Sequence, residues 1–268
     1  MQKNFPEIEG IMIDFDGTIA GKTHEVSPRV KEAIRAVKGR VKVSLCTGRP
    51  VNWVRRVAEE LGLTDSLHVA DGGGRVIDGK GNVVWERFIP TAVVHQIAQE
   101  ANRRGFEITA QIDGDDVSLW NPPAEVAAVP ALTHILFRSL SRSDAESFMD
   151  WMASQHCPLH IVLSHYRDHE GPLEWLVDVT AQGANKQHAL LHLAGREGLN
   201  LKKFMGIGDG YNDFPLLLAC GFKVAMGNAP EELKAIADYV APSVDEDGVA
   251  EAIEKYILNV KSKSQNPK

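Results

Sequence analysis

Short apolar runs that end in acids, hydroxyls or glycine, each followed by a helical repeat, constrain this chain most. Residues 10–15 read GIMIDF and lead directly into Asp16 and Gly17. A strand buried on both faces has this continuous apolar character, with polarity returning at its C-terminal edge. Ser27-Pro28 then opens a helix. Serine caps, proline suits the first turn, and Val30, Ala33, Ile34 and Val37 recur at helical spacing. Residues 41–46 repeat the strand pattern and end in Thr47-Gly48, residues 51–61 repeat the helix and stop at Gly62, and residues 67–70 form a short third strand. The last third resumes the alternation, with helices over 185–197, 212–219, 230–237 and 248–257 and strands over 204–207, 222–226 and 239–240. The pattern predicts an α/β fold, a Rossmann-like parallel sheet covered by helices on both faces.

The middle of the chain reads differently. Residues 76–77 and 83–88 suit a hairpin around Asp78-Gly79-Lys80-Gly81. Beyond them come a helix over 91–104, strands over 106–112 and 116–120 around Asp113-Gly114-Asp115, and a strand over 134–140. A helix over 143–154 and strands over 159–164 and 173–179, joined by a polar turn at 167–171, complete the segment. Paired strands on short turns with two helices predict an antiparallel α+β module inserted into the α/β unit. The expected division is 1–87 for the first part of the core, 88–182 for the inserted cap and 183–268 for the second part. Both units then have ordinary domain sizes.

Composition narrows the function classes. Of the 268 residues, 44% are apolar and 24% charged, as in a globular soluble chain rather than a disordered one. A net charge of -7 disfavours nucleic acid as a partner. It does not exclude a small anion, which needs only local positive groups. Cys46, Cys157 and Cys220 are odd in number and widely spaced, so neither a disulfide framework nor a zinc site is expected. No run approaches the ~18 apolar residues of a membrane span. Residues 1–10 lack the features of a leader. The expected setting is the cytoplasm, with no membrane partner, and residues 261–268 read as a polar, basic tail. No signal bears on the oligomeric state.

The chemistry lies at the strand ends, where open parallel sheets bind their ligands. Asp14-Phe15-Asp16-Gly17-Thr18 places two acids two apart, on one side of an extended segment. Such a pair repels itself unless a cation intervenes, and hard oxygen donors suit Mg²⁺. The pattern D-x-D-G-T arises by chance in a chain this long on the order of a few times in a thousand. Cys46-Thr47-Gly48-Arg49 offers a hydroxyl, backbone N–H groups and a guanidinium at a strand-to-helix turn, the makings of an anion site. Lys186 follows Asn185 at a helix start, against the helix dipole, which suggests an anionic ligand or an acidic partner. Gly208-Asp209-Gly210-Tyr211-Asn212-Asp213 follows a strand and opens a helix. Its glycine spacing is wrong for a dinucleotide fingerprint, and its acids could complete a cation site. Together these groups are the equipment of phosphoryl transfer, in which a protein mainly positions and neutralises charge.

In these four ordered motifs the sequence resembles the haloacid dehalogenase superfamily of phosphohydrolases, and its Cof-type branch in particular. The inserted middle, Ser27-Pro28 and the stretch from Val224 to Ala229 are similar to that branch as well. The resemblance implies that Asp14 is the nucleophile and forms an aspartyl-phosphate. Asp16 would protonate the leaving oxygen and then deprotonate water, while Lys186 neutralises charge. Thr47, Gly48, Arg49 and Asn212 would contact the substrate. Asp14, the Asp16 carbonyl, Asp209 and Asp213 would hold or orient Mg²⁺. The implied substrate is a small phosphorylated metabolite, a sugar phosphate foremost. The alternatives are a phosphomutase and a catalytically silent metabolite-binding regulator. In the cap, Arg138, Arg142 and Trp120 are candidate contacts. One departure stands out: Gly72 occupies the position where many relatives carry asparagine.

Overall fold

The computed structural model describes residues 7–119, 131–167 and 173–259, so Trp120, most of the turn at 167–171 and the tail beyond 259 lie outside it. β1 (Gly10–Ile13) is the central element, pairing in parallel with β2 (Lys42–Leu45) on one side and β11 (Phe204–Gly208) on the other. β12 (Phe222–Ala225) and β13 (Tyr239–Val240) extend the sheet, giving the order β13-β12-β11-β1-β2. Ile11 and Ile13 point into one apolar layer with α1 (Pro28–Val37) and α2 (Val51–Leu61), while Met12 points into the other. That second layer is built on α5 (Lys186–Glu197) and α6 (Phe214–Ala219). This two-faced burial is why the strands read as continuous apolar runs. The Ser27 side chain accepts the Val30 N–H at the start of α1, as the Ser-Pro pair predicts.

Residues 67–70 do form a strand, β3 (Leu67–Ala70), but it is not a full member of the parallel sheet. It pairs antiparallel with β4 (Arg75–Asp78), which pairs with β5 (Val83–Glu86). A single parallel bridge, Cys46 to Val69, joins this small sheet to the core. A short apolar run carries no information about the direction of its neighbour, so sequence pattern alone does not distinguish the two pairings.

The inserted segment forms a separate antiparallel sheet. It comprises β6 (Glu107–Ile112), β7 (Asp115–Leu119), β8 (His134–Leu140), β9 (Leu159–Arg167) and β10 (Leu173–Ala181), in the order β7-β6-β8-β10-β9. Its two faces are chemically distinct. Ile108, Ala110, Ile135, Phe137, Val177 and Val179 pack against α3 (Thr91–Arg104) and α4 (Arg142–Ser154) in their own apolar cluster. Burying a side chain such as Phe137 contributes about 1.5–3 kcal/mol. The alternate residues form the opposite, polar face. His134, Thr180 and His160 lie side by side across three strands, and Asp178 lies one step along the same face.

The cap is tied to the core at the β6–β7 turn. The Asn52 N–H donates to the Gly114 carbonyl at 2.8 Å, Asn52 Nδ2 to Asp115 at 2.8 Å, and Gln111 Nε2 to the Gly48 carbonyl at 2.8 Å. The polar cap face therefore lies over the strand ends of the core.

Candidate active site

Because β1, β2 and β11 run parallel, Asp14, Thr47 and Asp209 emerge at one edge of the sheet. The Lys186 ammonium sits there between two carboxylates, 2.6 Å from Asp14 Oδ1 and 2.5 Å from Asp213 Oδ1. All three groups are almost fully buried. Lys186 stands at the first turn of α5, whose N-cap Asn185 accepts the His188 N–H. The two anions outweigh the unfavourable helix end. Although burial favours the neutral amine, Asp14 and Asp213 hold the Lys186 pKa above its ordinary value. The backbone of α5 is brought close by Gly73, where φ is +105° and a Cβ would lie 2.2 Å from the Asn185 carbonyl carbon.

Asp213 is fixed from both sides. Its second oxygen accepts the Asp209 and Gly210 N–H groups, each at 2.9 Å. Asp209 in turn accepts from Thr18 Oγ1 at 3.1 Å and from Asn228 Nδ2 at 3.0 Å. Asn228 also donates to the Gly17 carbonyl at 2.9 Å. Gly17 has φ +78°, and a Cβ there would lie 2.1 Å from Asp209 Oδ2. The glycine of the first motif thus permits both the bend and the close approach of the third acid.

Asp14, Asp209 and Asp213 each present an oxygen within 4.8 Å of the others. Three carboxylates against one ammonium leave the buried cluster negative. Burial, with Asp213 adding, raises the Asp14 pKa to about 7 against the pull of Lys186. Burial, with Asp14 and Asp213 adding, raises that of Asp209 well above the ordinary range. A hard divalent cation with oxygen ligands fits this donor set and would offset the excess charge. The oxygens of Asp14, Asp209 and Asp213 are the donors that could hold it; Asp213 accepts from Lys186 and two backbone N–H groups, and Asp209 from the Thr18 and Asn228 side chains.

Asp16 is placed differently. Its carboxylate lies outside this cluster and is gripped by Arg49, with Nε donating at 2.8 Å and Nη2 at 2.6 Å. His24 Nδ1 lies 3.2 Å from it. Arg49 also packs over the Trp53 ring, whose edge meets Phe15. Thr47 is buried beside the cluster, and its Oγ1 accepts the Arg49 N–H at 3.2 Å.

A small open cleft lies between this edge and the cap. Gly48, Gly72, Asn185, Lys186 and Asn212 line it from the core. His134, His160, Val162, Asp178 and Thr180 line it from the cap. Gly72 faces His134 and Thr180, and a Cβ there would meet both at ordinary contact distances of 3.4–3.5 Å. At this position, where φ is +64°, the cleft wall presents backbone and no side chain. Arg138 is not a lining residue, and Arg142 is exposed, paired with Glu146 and set over the Trp175 ring. The cap residues that do line the cleft are missing from the sequence-based candidates. Strand periodicity sorts residues into faces, so the alternation of His134 with Ile135 and of Asp178 and Thr180 with Val177 and Val179 is the available signal.

A family model for the haloacid dehalogenase-like hydrolases matches residues 11–127 and 133–253. The chain belongs to that family. It is 27% identical over 261 residues to the 5-amino-6-(5-phospho-D-ribitylamino)uracil phosphatase of Bacillus subtilis, covering 96% of this chain and 99% of that one. It is 28% identical over 251 residues to a phosphoglycolate phosphatase of Archaeoglobus fulgidus, covering 92% and 96%. In fold it matches a haloacid dehalogenase-like hydrolase from B. subtilis with a TM-score of 0.79 at 22% identity, covering 93% and 100%. A sugar phosphatase of haloacid dehalogenase subclass IIB matches with a TM-score of 0.75 at 21% identity, covering 92% and 98%. The resemblance read from the four motifs holds, and this member of the family is a phosphoric monoester hydrolase. Among the described residues no helix is long and apolar enough to cross a membrane.

Proposed function

We propose that this hydrolase removes phosphate from a small phosphorylated metabolite, a sugar phosphate foremost, through an aspartyl-phosphate on Asp14. One observation carries the reading: a buried carboxylate cluster, organised by Lys186, lies at the sheet edge under a cap-covered cleft. Asp14 would hold the cation through its carboxylate and Asp16 through its carbonyl. Asp209 completes the ligand set, with Asp213 as the residue that orients it. When bound, a divalent cation such as Mg²⁺ would neutralise the phosphate and the carboxylates around it.

Asp14 attacks phosphorus through a carboxylate oxygen, the bond to the leaving oxygen breaks, and Asp16 delivers a proton to that oxygen. Water then attacks the aspartyl-phosphate, Asp16 takes its proton, and inorganic phosphate departs with Asp14 restored. Lys186 keeps Asp14 charged and oriented and shares the phosphate's negative charge. Thr47, the Gly48–Arg49 turn and Asn212 receive the phosphoryl oxygens. Arg49 serves two anions: an incoming phosphate competes with Asp16 for the guanidinium and frees the Asp16 carboxyl for proton transfer. Uncatalysed phosphate monoester hydrolysis is slow enough that enzymes supply up to ~10²¹-fold, which calls for nucleophile, acid and cation together.

A panel of phosphorylated metabolites with and without Mg²⁺ tests the reading. The expected result is Mg²⁺-dependent release of inorganic phosphate. Isomerised substrate without released phosphate would instead establish a phosphomutase. Absence of any turnover across the panel would leave only the binding role.

A further inference from the structure

We propose that Asp178 determines specificity, admitting neutral, hydroxyl-bearing leaving groups and turning away those with a second negative charge. The inference rests on the phosphatase reading and concerns the far wall of the same cleft. His134 and Asp178 line that wall; the imidazole is buried and the carboxylate is half-buried. His134 Nε2 lies 3.1 Å from Asp178 Oδ1, and Ser164 Oγ donates to Asp178 Oδ2 at 2.8 Å. His134 Nδ1 is buried and meets no partner. Burial works against the charged ring, but Asp178 holds the His134 pKa above its ordinary value, and the protonated ring offers an Nδ1–H donor beside the carboxylate acceptor, the chemistry that suits a hydroxyl.

Charge argues the same way. Burial alone would raise the Asp178 pKa, but the bonds from His134 and Ser164 hold it below the usual carboxylate range. Asp178 is therefore a fixed negative charge facing the leaving group. Protonated, His134 balances it and the wall is neutral; unprotonated, His134 leaves the wall negative. In neither state does the pair supply positive charge. His160 adds none, because burial and the neighbouring His188 push its pKa down. Lys186 is the single Lys or Arg among the described lining residues, and its ammonium is committed to Asp14 and Asp213. A leaving group bearing a carboxylate would enter this wall with no cation waiting and a like charge in place. Such repulsive elements discriminate as effectively as attractive ones.

Three substrates of nearly equal shape test this: 2-hydroxyethyl phosphate, ethyl phosphate and 2-phosphoglycolate. Wild-type kcat/KM should fall in that order, by about 10-fold or more at each step, since a site built for a hydroxyl discriminates strongly against its absence. Asp178→Asn should raise the ratio of 2-phosphoglycolate to ethyl phosphate by about 10-fold, as the like charge is removed. The wild-type series decides the point even if the variant misfolds. Wild-type enzyme that hydrolyses 2-phosphoglycolate as well as ethyl phosphate overturns the inference, as does an unchanged ratio in a folded Asp178→Asn. No phosphate release by wild type from any of the three, or from p-nitrophenyl phosphate, refutes the underlying phosphatase reading instead.

Discussion

His68 should make this protein lose stability on mild acidification. The ring is fully buried between the core and the small antiparallel sheet. Its Nδ1 accepts the Leu45 N–H at 3.1 Å, and its Nε2 lies 3.0 Å from the Leu63 carbonyl. That pairing needs the neutral ring with its proton on Nε2. A second proton on Nδ1 would confront the Leu45 N–H and break the link between β2 and β3, directly before the Thr47–Arg49 turn. Burial lowers the His68 pKa from 6.5 to about 4, with the Leu63 bond opposing. The folded pKa lies below the unfolded one, so between these values the unfolded chain binds more protons and stability falls as pH falls. At 1.36 kcal/mol per pH unit, acidification from pH 7 to pH 5 removes about 2 kcal/mol, and the full gap corresponds to roughly 3 kcal/mol.

The assay is urea unfolding of wild type and His68→Asn at pH 7, 6 and 5. The carboxamide cannot titrate, and its oxygen can replace Nδ1 as an acceptor. It costs about 1 kcal/mol at pH 7 through the lost Leu63 bond. Other groups that titrate here, Asp14 at about 7 among them, contribute equally to both proteins and cancel in the difference. The stability gap between wild type and variant should therefore close, and reverse by about 1 kcal/mol at pH 5. A gap that is constant from pH 7 to pH 5 would refute the reasoning.

Gly73→Ala should destabilise the fold by about 3 kcal/mol or more, because its Cβ would enter the Asn185 backbone at a left-handed φ; a midpoint within 0.5 kcal/mol of wild type in urea would contradict this. Asn228→Ala should leave folding largely intact but raise the Mg²⁺ concentration for half-maximal phosphate release by about 10-fold, since Asn228 orients Asp209. Lys186→Met should lower kcat by about 10²-fold or more on every substrate, as expected for an electrostatic group at the reacting centre; loss confined to one substrate would show that Lys186 reads the leaving group instead.

The candidate site was legible to unequal degrees. Asp14, Lys186, Asp209 and Asp213 stand in local motifs at strand ends or helix starts, and parallel pairing brings the ends of β1 and β11 together. The grip of Arg49 on Asp16 joins residues 33 apart and depends on how the β2–α2 turn folds back, which no local pattern encodes. The cap wall was hidden for another reason. Period-2 alternation separates His134 from Ile135, but only the packing of Ile135 and Phe137 under α3 and α4 shows which face meets the core. The pairing of β3 was likewise a matter of its neighbour. Gly72 is visible as a departure, and the structure sets it in the cleft wall within contact range of His134, at a left-handed φ of +64°.

The central claim, a phosphoryl group carried by Asp14, is tested most directly by acid-quenching the enzyme during turnover and mapping phosphate by peptide mass. The account predicts a phosphorylated peptide containing Asp14 in wild type, and neither phosphopeptide nor turnover in folded Asp14→Asn. Phosphate on another residue, or normal turnover in Asp14→Asn, would contradict it.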